Sequence, residues 1–208
     1  MGRFITLEGP DGSGKTTQAH LLVEWLRDQG HDVLHTREPG GTEISDQIRD
    51  VLHDSGNTAM DPRTEFLLYS ASRAQHVSEL ILPSLAAGKL VVSDRYADSS
   101  LAYQGYGRGL DLEMLQKITD FATQGLKPDL TLYFDIAPGE GLQRRLISGE
   151  EWNRMDAEAL AFHRRVRAGY LELAAAEEDR WVILDANRPI EAVQSDVQAA
   201  LGVLLGEG

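Results

Sequence analysis

The residues best suited to chemistry lie near the start of the chain. Gly9-Pro10-Asp11-Gly12-Ser13-Gly14-Lys15-Thr16 fits the spacing G-x-x-x-x-G-K-[ST]. Glycines at these places let backbone N–H groups curl around phosphate oxygens, and a helix that starts here adds partial positive charge. A lysine at this point reaches the β- and γ-phosphates, and the hydroxyl after it binds Mg²⁺. The chemistry indicated is the binding and transfer or hydrolysis of a nucleotide phosphate. Lys15 is then the catalytic cation and Thr16 a metal ligand.

Such a loop works only between a strand and a helix. Phe4-Ile5-Thr6-Leu7 before it reads as a buried strand, and Leu21, Leu22, Trp25 and Leu26 after it recur near a 3.6-residue period. Further strand-like runs start at Val33, Leu90, Leu130 and Trp181, with helical patterns between them. One helix is predicted from Pro62, a separate short one over Leu80–Ala87, and a loop or irregular helix over Asp98–Gly109. The alternation predicts an α/β fold, a five-stranded parallel sheet with helices on both faces. No linker or repeat divides the chain, so residues 1–208 are expected to form a single domain. The charged stretch from Ser148 to Asp156 is expected to be a flexible segment.

Composition narrows the chemistry. The chain has no cysteine, which excludes thiolate metal sites and cysteine nucleophiles. No apolar run approaches membrane length and no secretory leader is read at the start, so a cytoplasmic protein without a membrane partner is expected. The net charge of −13 argues against a nucleic-acid partner. It also requires that any polyphosphate site gather its basic residues locally, because the long-range field opposes an anionic ligand.

Ligands of open parallel sheets bind beyond the carboxyl ends of the strands. Three predicted strands end in Asp94, Asp135 and Asp185. Asp94 precedes Arg95, which pairs a metal-organising carboxylate with a phosphate-binding guanidinium; its alternative is a turn-initiating Asp. Asp135 and Asp185 read as turn or capping residues. Arg37, ahead of a Pro-Gly-Gly turn, is either a phosphate ligand or a surface arginine. Tyr69 and Arg73 share a helix face and could stack on and hydrogen-bond a base, although Tyr69 by itself reads as core. Arg144, Arg145 and Arg154 flank or lie in the flexible segment, as a solvated face or as a lid that carries a catalytic arginine. The six histidines show no ligand pattern.

Together the motifs resemble bacterial thymidylate kinases, P-loop nucleoside monophosphate kinases. The residues concerned are Gly9-Pro10-Asp11-Gly12-Ser13-Gly14-Lys15-Thr16-Thr17, Thr36-Arg37-Glu38-Pro39-Gly40-Gly41-Thr42, Leu67 to Arg73, Asp94-Arg95-Tyr96, Ala102-Tyr103-Gln104-Gly105 and Pro128 to Asp135. The resemblance covers nearly the whole chain in order. It implies a three-layer P-loop kinase fold with a small lid at about 147–156. It also implies transfer of the γ-phosphoryl group of ATP to dTMP with Mg²⁺, giving dTDP on the way to dTTP, in a homodimer. By the same resemblance, Gly9 to Thr17 hold ATP and Asp94 joins Thr16 at the metal. Asp11 contacts the acceptor 3′-hydroxyl, and Arg37 and Arg95 hold the acceptor phosphate and the transferring group. Tyr69 stacks on thymine, Arg73 bonds its edge, and Ser100 and Gln104 line the base pocket. Tyr103 stands against the 2′ position.

The sequence departs from the family pattern at two places. Gly12 stands where one class carries an arginine in the loop, so the catalytic arginine falls to Arg144, Arg145 or Arg154. Asp156 stands after the lid arginine, where the pattern has Glu. Two other classes remain compatible with the loop: a different nucleotide or nucleoside kinase, and a nucleotide-dependent switch. The absence of an Asn-Lys-x-Asp motif weighs against a GTPase.

Overall fold

The computed structural model describes residues 2–148, 155 and 158–206. Five strands, β1 (Arg3–Glu8), β2 (Val33–Arg37), β3 (Leu90–Asp94), β4 (Leu130–Asp135) and β5 (Trp181–Asp185), form one parallel sheet in the order β2-β3-β1-β4-β5. β1 is central, between β3 and β4, so the loop that follows it leaves the middle of the sheet's carboxyl edge.

The side-chain alternation of β1 explains the layers. Ile5 and Leu7 face one side and pack with α1 (Lys15–Asp28) and α9 (Ile190–Leu205) through Leu22, Leu26, Val197 and Leu201. Phe4 faces the other side and meets Val77, Ile81 and Tyr96. A third group on that side, Tyr133, Tyr170, Trp181 and Phe162, joins β4 and β5 to α8 (Leu160–Ala176). The sheet is therefore covered on both faces.

The remaining helices are α2 (Glu43–His53), α3 (Pro62–His76), α4 (Leu82–Ala86), α5 (Ala97–Ser100), α6 (Leu112–Thr123) and α7 (Pro138–Ser148). Their starts follow local chemistry. Thr42 accepts from the Ser45 N–H, Asp61 from the Arg63 N–H ahead of Pro62, and Asp111 from the Met114 N–H. One element differs from expectation. The short helix expected over Leu80–Ala87 is not separate: α3 runs through a π-helical turn, Val77–Ile81, directly into α4. The stretch expected as loop or irregular helix is the latter, α5 followed by a π-helical segment, Leu101–Gly107, and a turn at Arg108 and Gly109. That extra winding aims Tyr103 and Gln104 at the carboxyl edge of the sheet, and single π turns often mark functional sites. Most of the segment expected to be flexible, with Arg154 and Asp156, lies outside the described residues.

Candidate active site

Above the carboxyl ends of β1, β2 and β3 opens a cleft of about 280 Å³. Asp11, Lys15, Thr16, Arg37, Tyr69, Arg73, Asp94, Arg95, Ser100, Tyr103, Gln104 and Arg145, all singled out from the sequence, border it. They come from the loop after β1 and the start of α1, the end of β2, α3, the end of β3, α5, the π segment and α7. The basic residues are thus concentrated here, as an acidic chain that binds phosphate requires.

The loop floor is fixed by backbone geometry. Gly12 adopts φ +78°, and a Cβ there would stand 2.0 Å from the Gly141 carbonyl oxygen on α7. An arginine at position 12 therefore has no room. The Ser13 hydroxyl is buried without a hydrogen-bond partner among the described residues. Lys15, also buried, lies 3.5 Å from Asp11. Burial first, and Arg95 next, lower its pKa.

Thr16 donates to Asp94 Oδ2 at 2.5 Å, while Asp94 Oδ1 is buried with no partner. Asp135 and Asp185 do something else. Asp135 takes Nε and Nη2 of Arg167 at 2.7 Å each, and Asp185 accepts from the Asn187 N–H in the turn before α9. The described residues hold no group of three or more His, Asp or Glu suited to a metal. The Thr16–Asp94 pair with its unsatisfied oxygen suits an ion whose other ligands come from phosphate and water.

Arg95 occupies the left-handed region, φ +70°, a costly place for a residue with a side chain. Its surroundings hold it there. Nη1 donates to the Gly9 carbonyl at 2.8 Å, and Nη2 to Asp11 Oδ1 at 2.7 Å and the Tyr103 hydroxyl at 3.4 Å. Burial would raise the Asp11 pKa, but Arg95 and Lys15 outweigh it and keep that carboxyl below the usual range.

At the other end of the cleft Arg73 is only 2% exposed. Its Nε donates to Glu38 Oε2 at 2.7 Å, Nη1 to Ser100 Oγ at 3.0 Å and Nη2 to the Tyr96 carbonyl at 3.1 Å. His76 and Thr36 complete the chain behind Glu38. Half-buried Tyr69 shares the α3 face with Arg73 and borders the cleft. Adjacent helix positions separate Arg144 from Arg145. Arg145 borders the cleft, whereas Arg144 turns to the Ala186 carbonyl at 2.9 Å and Asn187 Oδ1 at 3.2 Å, beyond β5.

Residues 7–197 match the family model described as "Thymidylate kinase". The chain belongs to the thymidylate kinase family. It is similar to the thymidylate kinase of Roseiflexus sp. (strain RS-1), 51% identical over 210 residues that cover 96% of this chain and 93% of that protein. It is 48% identical to the thymidylate kinase of Geotalea uraniireducens (strain Rf4), with both chains covered in full. The crystal structure of thymidylate kinase from Ehrlichia chaffeensis superposes with a TM-score of 0.78 at 34% identity, covering 96% of this chain and 98% of that one.

Several residues of this family member's cleft escaped the sequence reading. Arg49 of α2 borders the cleft and donates to the Pro39 carbonyl at 2.9 Å. Its only sequence signal is the helical spacing from Ile48 and Leu52. Behind Arg95 lies Glu8, fully buried, which accepts from the Tyr96 N–H, Ser99 Oγ and the Tyr170 hydroxyl at 2.8, 2.6 and 2.9 Å. The same two hydroxyls lie 3.3 and 3.4 Å from Arg95 Nη1. Burial, reinforced by Asp98, pushes the Glu8 carboxyl up to about 7. A carboxylate directly after the run Phe4-Ile5-Thr6-Leu7 and before the phosphate loop is the one hint that the sequence offered.

Proposed function

We propose that this cleft transfers the γ-phosphoryl group of ATP to dTMP, with the two ends of the cleft doing separate work. The observation that carries this reading is the pairing, in a thymidylate kinase family chain, of a cationic phosphate end with a base end built from Tyr69, Arg73, Ser100 and Gln104. An oxygen of the dTMP phosphate bonds to the γ-phosphorus as the bond to the β-phosphate oxygen breaks and ADP leaves. The acceptor phosphate has a second pKa of about 6 and is largely a dianion at neutral pH, so no general base is needed. The task is positioning and charge stabilisation.

In this reading Gly9, Pro10, Asp11, Gly12, Ser13, Gly14, Lys15, Thr16 and Thr17 take the ATP phosphates, with Lys15 on the transferring group. Arg95 and Arg37 hold the acceptor phosphate, and Asp11 and Tyr103 meet its sugar. Arg145 is the arginine of α7 that faces the reaction. Arg144, bonded to the turn after β5, does not border the cleft. Arg154 lies outside the described residues. Thr16 and Asp94 would hold Mg²⁺, whose charge when bound offsets that of the phosphates. The unsatisfied Asp94 Oδ1 supports this pairing.

A homodimer is part of the reading. It is supported by apolar side chains left bare on neighbouring helices α2, α3 and α6, among them Ile44, Leu67, Met114 and Phe121 at 86% exposure. Among the described residues no helix is long and apolar enough to cross a membrane. Sedimentation decides the dimer. The reaction is tested by coupled ADP release with dTMP, dUMP, dGMP, AMP and thymidine as acceptors. dTMP should give the highest kcat/KM, and release that no acceptor stimulates would rule the reading out.

A further inference from the structure

Glu65 of α3 does not border the cleft, yet it is fully buried and sits directly behind it. Arg108, just after the π segment, grips both of its oxygens: Nε donates to Oε1 at 3.2 Å and Nη2 to Oε2 at 3.0 Å. The remaining nitrogen, Nη1, donates to Glu158 Oε1 at 2.5 Å, and Cζ lies 4.9 Å from the Phe162 ring. A forked pair with a permanently charged guanidinium keeps Glu65 a carboxylate, which can only accept hydrogen bonds. Glu65 Oε1 also takes the Gln104 side chain, at 2.8 Å from Nε2.

That contact has a chemical consequence. An amide has one donor end and one acceptor end. With its nitrogen turned to Glu65 through one of its two N–H groups, Gln104 has its carbonyl oxygen to offer to the cleft it borders. The neighbouring Arg73 can only donate. The base end thus presents a donor beside an acceptor. This is the complement of the thymine edge, where O4 accepts and N3–H donates. It is the wrong match for the cytosine edge, where N4–H₂ donates and N3 accepts.

We infer that Glu65, held by Arg108, is a positioning residue that fixes the orientation of the Gln104 amide and so makes the pocket reject cytosine nucleotides. The inference rests on the reading of this end of the cleft as the base pocket. A pocket built to hydrogen-bond one edge discriminates steeply, because the wrong edge leaves buried polar groups unpaired.

The test compares kcat/KM for dTMP, dUMP and dCMP in the wild-type chain, Glu65→Gln and Glu65→Asp. Wild type should prefer dTMP over dCMP by about 10³ or more. Glu65→Gln puts an amide against an amide, so Gln104 pairs in either orientation. The dTMP-to-dCMP ratio should then fall at least about tenfold, while the dTMP-to-dUMP ratio, which involves the same edge twice, stays within about threefold. A dTMP-to-dCMP ratio that does not move, or an equal fall in both ratios, would overturn the inference. Glu65→Asp keeps the acceptor-only group. It should retain the dTMP-to-dCMP ratio while raising the dTMP KM, and loss of that ratio in a folded Asp variant overturns the inference even if Glu65→Gln does not fold. A wild-type chain inactive on dTMP would instead bring down the proposed reaction.

Discussion

The two ends of the cleft are built on opposite principles. At the base end the charged groups are buried and committed before any ligand arrives: Arg73 to Glu38, Ser100 and the Tyr96 carbonyl, Glu65 to Arg108 and Gln104. At the phosphate end Arg37 has a side chain 55% exposed, held by one long contact of 3.3 Å to Asp46, and Thr16 is exposed. A neutral base must be recognised by direction, which demands fixed donors and acceptors. A phosphate carries charge enough to draw mobile cations to itself. Lys15 and Arg95 join the two regimes, since both belong to the phosphate end but are paired with Asp11 before any ligand arrives, like residues of the base end.

The contrast can be broken or sharpened by substitution. The largest effect is expected at the phosphate end and in turnover alone. Lys15→Ala should lower kcat by about 10³-fold or more while circular dichroism and the melting temperature stay near wild type. Unchanged turnover would remove the loop from the mechanism. At the base end the damage should extend to the fold. Arg73→Ala strands the buried Glu38 carboxylate and should cost about 3–5 kcal/mol in urea unfolding, with a raised dTMP KM in what remains folded.

Tyr69→Ala should weaken dTMP by about 1–3 kcal/mol through KM, with little change in kcat. Unfolding with an unaltered KM would return Tyr69 to the core. Glu8 tests the intermediate regime through pH. Its carboxyl titrates near the ordinary 4.5 in the unfolded chain and near 7 in the fold. Between those values the fold keeps a proton that the unfolded chain has released, so this group's contribution to stability falls as pH rises from 4.5 to 7. Glu8→Gln should remove that slope, a change of roughly 2–3 kcal/mol between urea titrations at the two ends of the window. Equal slopes in the two proteins would show that Glu8 does not titrate there. The smallest effect belongs to Arg37→Ala, which should alter stability by no more than about 0.5 kcal/mol while raising the dTMP KM. A large loss of stability there would erase the distinction between the ends.

Much of this arrangement was legible in the chain. Strands were readable because short, β-branched apolar runs such as Leu90-Val91-Val92, bounded by turn signals and alternating with helical patterns, suit a parallel sheet buried on both faces. Helix starts were readable because Asp61-Pro62 and Asp111 cap locally. The division of Arg144 from Arg145 was not, because neighbours on a helix point about 100° apart and nothing local says which direction is the cleft. The continuity of α3 into α4 was hidden for a related reason, since a π turn keeps the helix going without a composition of its own.

The sequence by itself determined the phosphate loop, the order of the strands and helices along the chain, and the residue types that could meet a phosphate and a base. These follow from short-range rules: spacing, periodicity and capping. Only the tertiary structure decided which charges face each other. Glu8 meets Tyr170 across 162 residues, and Glu65 meets Arg108 across 43. Whether Gly12 had room for a side chain depended on Gly141 of a distant helix. A carboxylate's partner, and with it the direction in which a neighbouring amide must point, is fixed by packing between elements far apart in sequence, and no local pattern encodes it.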